Sequence, residues 1–143
     1  MINKLKFPVL SFKNESHLEF YREPKDLTTG TNQGLRNGYY ENLSIIDSSG
    51  KQYLIKNAEK ATHNFWSIFS SKIEVRLLFD NSNLNELSLG EFKVYLQKII
   101  NNDRDFWESG MDIQELSSFI ESCNDVKSII EKLTKYYRIG EWN

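Results

Sequence analysis

One cysteine, two histidines and two prolines among 143 residues each remove a class of protein. Cys123 stands alone, so no intramolecular disulfide can form, and nothing in the chain implies an oxidising compartment. Two histidines and one cysteine all but exclude a Cys/His zinc site within one chain. So few prolines, with only seven glycines, exclude collagen-like and low-complexity chains. No apolar run approaches the roughly 18–20 residues of a membrane span. The apolar stretch Phe7 to Leu10 falls short of the roughly 7–15 residues in a signal-peptide core. A cytoplasmic location is therefore expected. The formal charge of −2 lacks the basic excess of a general nucleic-acid binder.

What the chain does have is aromatic side chains (nine Phe, seven Tyr, three Trp) and 39% hydrophobic residues, enough for a core. At 143 residues one domain, 1–143, is the economical organisation. The charge is uneven. Residues 1–60 carry nine Lys/Arg against seven Asp/Glu, and residues 61–143 carry nine against thirteen.

The pattern predicts an α+β fold. Phe7 to Phe12 reads as a first strand, with Pro8 near its end. Residues 16–22 fit a short helix or a strand, and 25–38, rich in Gly and Asn, read as a long loop. Tyr39–Ile46 and Lys51–Ile55 flank Asp47-Ser48-Ser49-Gly50, a type I turn signal, so residues 39–55 read as a hairpin. Residues 57–71 fit a helical turn or an irregular crossover. Residues 72–79 alternate as a strand with one buried face. Helices are expected at 88–102, 112–123 and 125–137. The first opens on the capping box Ser88-Leu89-Gly90-Glu91, and Asn124 is the expected cap of the last. These helices should pack on a small antiparallel sheet built from the hairpin and the 72–79 strand.

Catalytic signals are weak. His17, with Glu15 and Glu19 nearby, and His63 are the candidate general bases, but a surface histidine explains each as well. Cys123 lies on an apolar helical stripe beside Glu121 and Asp125, which disfavour a thiolate. No nucleophile elbow or phosphate loop is present. No cofactor is expected, and no metal, because Asp103-x-Asp105 lacks the glycine and closing glutamate of a calcium loop.

The acidic run is more informative. Residues 101–125 hold seven carboxylates against Arg104 alone, interleaved with Phe106, Trp107 and Met111. One reading is a solvated acidic face. The other is a protein-binding surface, in which acids attract a basic partner and aromatics anchor it. The candidate contacts are Asp103, Asp105, Trp107, Glu108, Asp112 and Glu115.

Leu43-Ser44-Ile45-Ile46-Asp47-Ser48-Ser49-Gly50-Lys51-Gln52-Tyr53 resembles the strand–Asp-x-x-Gly–strand element of small bacterial immunity proteins. His17-Leu18-Glu19-Phe20-Tyr21-Arg22-Glu23-Pro24-Lys25-Asp26-Leu27 is similar to their lead-in segment. The close, Asn102-Asp103-Arg104-Asp105-Phe106-Trp107 followed by two short helices, is similar in style. Such proteins neutralise the toxin tips of contact-dependent inhibition and other polymorphic toxin systems. The resemblance implies a cytoplasmic, non-enzymatic protein that binds one toxin domain, expected to be basic and nuclease-like, and occludes its active site. No nucleic-acid or membrane partner is expected from the charge and the lack of a long apolar run. The alternatives are a small adaptor or regulatory protein, or a small hydrolase using His63 or His17.

Overall fold

The computed structural model describes residues 2–13, 17–61 and 71–137, with the side chains of all of these except 17 and 81–84. It is an α+β fold in which a six-stranded antiparallel sheet is packed by the C-terminal helices. The strands are β1 (Val9–Lys13), β2 (His17–Tyr21), β3 (Thr29–Gly30), β4 (Leu43–Ile46), β5 (Lys51–Lys60) and β6 (Ile73–Glu86). The helices are α1 (Pro24–Leu27), α2 (Asn32–Arg36), α3 (Leu89–Asn102), α4 (Arg104–Glu108), α5 (Ile113–Ser122) and α6 (Val126–Tyr136). In the sheet the order is β2-β1-β4-β5-β6-β3.

Both faces of the sheet are used. Side chains alternate along a strand, so Leu10 and Phe12 of β1 point to one side and Val9 to the other. The first side, with Leu18, Phe20 and Ile46, meets the apolar stripes of the helices: Phe92, Leu96, Ile99 and Ile100 of α3, Ile113, Leu116 and Ile120 of α5, and Val126, Ile129, Ile130 and Leu133 of α6. The second side carries Val9, Tyr21, Ile45, Tyr53, Ile55, Ile73 and Val75, covered by Leu5, Leu27 and Tyr40. Two cores thus share one sheet as their wall.

The hairpin turn forms as the sequence predicts. Gly50 N donates to Asp47 O at 3.0 Å. Gly50 has φ +87°, and an added Cβ would lie 2.7 Å from Leu87 O, so both backbone and space demand glycine there. Asp47 is fully buried, and its carboxylate accepts from Lys6 N, Ser49 N, Ser49 Oγ and Lys51 N at 2.6–3.2 Å. This one side chain ties the turn to the N-terminal segment.

The elements depart from expectation in several places. Residues 25–38 are not one long loop. Pro24 starts α1, Thr31 caps α2 through its side chain to Gly34 N, and β3 pairs briefly with β6. Short polar helices have too little periodicity to be read from sequence. Residues 17–21 settle as a strand because Leu18 and Phe20 pair across from Phe12 and Leu10. The hairpin strand begins at Leu43, since 39–42 form a turn. Its second strand runs on to Lys60, and β6 extends to Glu86. The aromatic cluster at 64–69 lies outside the described residues.

The three long helices stand where expected. Ser88 and Glu91 form the reciprocal capping box. The cap of α6 is Asp125, not Asn124: its carboxylate accepts from Ser128 N at 2.7 Å, which holds its pKa below the usual carboxylate range. Among the described residues, no helix is long and apolar enough to cross a membrane.

Candidate functional site

The acidic segment lies on α4 and α5, at the end of the helical layer. Helix α4 replaces the loop expected between α3 and α5. Asp103, Asp105, Phe106, Glu108, Asp112 and Glu115 are exposed, so five of the six predicted contacts reach the surface. Trp107 does not. It is 1% exposed and belongs to the core.

The reason is a three-ring cluster. Trp107 packs edge-on against Tyr137, with ring centroids 4.7 Å apart, and Phe106 meets both rings at 5.3 and 5.9 Å. Tyr137 Oη donates to Trp107 O at 2.7 Å. Gly110 lies against the same ring, where a Cβ would come within 2.6 Å of Tyr137 Cε1. On a helix of five residues, adjacent aromatics must face different ways. Trp107 turns inward, and Phe106 is left 40% exposed among the acids. Phe106 is the surface aromatic that the sequence reading assigned to Trp107.

Much of the acidity has a local cause. Asp103 precedes α4 and Asp105 lies in its first turn. Asp112 caps α5 by accepting from Gln114 N and Glu115 N, and Glu115 sits in that helix's first turn. Asp125 caps α6. Carboxylates at helix starts satisfy free amides and complement the helix dipole. Glu108 pairs with Arg104 across one turn at 3.7 Å. Capping engages Asp112, but Asp103, Asp105 and Glu115 have no ion pair or side-chain hydrogen bond among the described residues. They remain exposed negative charges on the same α4–α5 segment as Phe106. Among the described residues, no group of three or more Asp, Glu, His or Cys side chains is arranged to hold a metal ion.

A second polar cluster was not anticipated. Glu19 Oε2 accepts from Tyr21 Oη at 2.6 Å and from Tyr39 Oη, while the two phenol oxygens are 2.8 Å apart. Burial, then the charges of Tyr39 and Glu19, push Tyr21 well above the usual phenol range. Burial and the Glu19 charge raise Tyr39 and push Tyr40 up to about 12. All three phenols stay protonated at neutral pH, and those of Tyr21 and Tyr39 donate to the one carboxylate. Lys13 Nζ donates to Gly38 O at 2.7 Å, so the cluster clasps the 37–42 turn onto the β1–β2 corner. Glu19-x-Tyr21 on a strand puts both side chains on one face, and that spacing was the available signal. Tyr39, twenty positions away, gave none.

The histidine candidates gain nothing here. Glu19 is engaged by tyrosines, the side chain of His17 is not among those described, and His63 lies outside the described residues. Cys123 is buried at the end of α5, and burial raises its thiol pKa first of all.

No protein family, no curated protein and no solved structure matches this chain.

Proposed function

We propose that this chain is a cytoplasmic immunity protein that binds a cognate toxin domain, basic and nuclease-like, and occludes its active site without catalysing a reaction. The observation that carries the reading is the α4–α5 segment, where Asp103, Asp105 and Glu115 are exposed and the ring of Phe106 is 40% exposed. An exposed aromatic beside an excess of negative charge suits tight protein recognition. The charge gathers a basic partner from a distance, and the ring anchors it on contact. The buried Trp107–Tyr137 hydrogen bond fixes α4, which lowers the ordering cost of binding. The likeness of the Asp47–Gly50 hairpin and its lead-in to immunity proteins supports the same role.

The test is co-expression with the C-terminal domain encoded by the neighbouring upstream gene. A stoichiometric complex, with cell death when this chain is omitted, supports the proposal. Survival without this chain and no complex would refute it.

A further inference from the structure

The sequence has one Asn-Gly pair, Asn37-Gly38, and it lies in the turn that leaves α2. Asparagine followed by glycine is prone to cyclise, because no side chain shields the glycine nitrogen. That nitrogen attacks the amide carbon of the preceding side chain. The bond from Gly38 N to Asn37 Cγ forms and the Cγ–Nδ2 bond breaks. Ammonia leaves with the proton of the Gly38 amide. Water then opens the cyclic imide at either carbonyl, leaving an aspartate or an isoaspartate at position 37. Asn37 is exposed, so water reaches it. The turn itself calls for glycine at 38, where φ is +72°.

The fold opposes this reaction at each atom involved. Gly38 N, the attacking atom, donates to Leu35 O at 3.2 Å, and Asn37 N donates to Gln33 O at 2.9 Å. Asn37 is held at φ −84° and ψ 2°, and ring closure requires it to rotate well away from there. On the far side of the pair, Lys13 Nζ donates to Gly38 O at 2.7 Å, Tyr39 N to Gly34 O at 3.0 Å, and Tyr39 Oη to Glu19. Yet α2 is five residues long, started by the Thr31 hydroxyl accepting from Gly34 N. A helix of that length depends on its cap and its surroundings. We propose that Asn37-Gly38 is a self-modification site gated by this corner. It is unreactive while α2 and the tyrosine clasp are closed, and it converts when they open. The isoaspartate product carries one more methylene in the main chain, which shifts Gly38 O from Lys13 Nζ and keeps the corner from closing again. The proposal is independent of the toxin-binding reading, because it uses none of the acidic residues of α4 and α5.

Timed incubation of the purified chain in mildly alkaline buffer tests it, read by peptide mass spectrometry with fragmentation that separates aspartate from isoaspartate. Native wild type should convert at position 37 about tenfold or more slowly than the same chain in urea. Thr31→Ala removes the cap and Tyr39→Phe removes the clasp hydroxyl, and neither alters the reacting pair. Each should speed conversion of the native chain about threefold or more, and neither should change it in urea. A native wild type that converts as fast as the chain in urea overturns the gate, whether or not the variants fold. So does a pair inert even in urea, unchanged native conversion in either variant, or an acceleration that persists in urea. The isoaspartate fraction, separated by its extra negative charge, should unfold at lower urea than the unreacted chain. Asn37→Asp, which adds the charge without the methylene, should unfold close to wild type. An isoaspartate fraction as stable as the unreacted chain overturns the trapping of the open corner.

Discussion

Tyr137 and Trp107 are joined by a buried hydrogen bond that spans thirty positions, from the residue after α6 to the backbone of α4. It ties the short helix bearing Phe106 to the end of α6. Removing only the hydroxyl, in Tyr137→Phe, leaves the Trp107 carbonyl without its partner and should cost about 1–2 kcal/mol in urea unfolding. Gly110→Ala drives a methyl into the same ring and should cost about 1–3 kcal/mol. Equal stability in both variants would mean that α4 is held by other contacts.

Among the described residues two polar side chains, Asp47 and Ser11, are buried, and they should respond with opposite sign. Asp47→Ala strands the amides of Lys6, Ser49 and Lys51, and should cost about 3 kcal/mol or more. Asp47→Asn should cost less, losing mainly the Lys6 contact. Among the described residues Ser11 Oγ has no hydrogen-bond partner. Ser11→Ala should therefore be neutral or stabilising by up to about 1 kcal/mol. Thermal unfolding of the three variants checks the order.

The tyrosine clasp predicts loss of stability in alkali. Tyr21, Tyr39 and Tyr40 have folded pKa values above the unfolded value of 10.0. A raised folded pKa means that the unfolded chain releases its proton first. The stability is complete below pH 10 and declines above it, for Tyr40 over the span from 10.0 to about 12. Tyrosinate absorbance should lag behind that of free tyrosine until the protein unfolds. Tyr39→Phe should flatten the dependence of stability on pH above 10. Three phenols ionising at their ordinary pH in the folded protein would contradict the clasp.

Charge reversal at the acidic surface separates binding from folding. Asp105→Lys with Glu115→Lys alters exposed groups that have no partners among the described residues, so stability should stay within about 1 kcal/mol. Association with a basic toxin domain should slow about tenfold or more at low salt, and the difference should shrink as salt rises. Phe106→Ala should act mainly on dissociation. Unchanged binding in both would move the interface elsewhere.

The long elements were legible in the sequence because burial writes a period into them. The capping box at Ser88 and Glu91, the stripes of α3, α5 and α6, and the Asp47–Gly50 turn needed only local reading. Choices made by distant parts of the chain were not legible. Trp107 and Phe106 are neighbours of similar chemistry, and only Tyr137 decides which one turns inward. The same holds for Tyr136 and Tyr137, of which the second is buried. The acidic run was visible as charge, but its use in capping α5 and α6 appears only once the helix starts are known. Nor could a count of apolar residues reveal that β1 serves two cores at once.

The Tyr137–Trp107 bond also sets a sequence of events during synthesis. Helix α4 is made well before Tyr137 leaves the ribosome, so a nascent chain holds the acids and Phe106 without the contact that orients them. On the proposed reading, the surface is complete only once the residue that locks it has joined the fold.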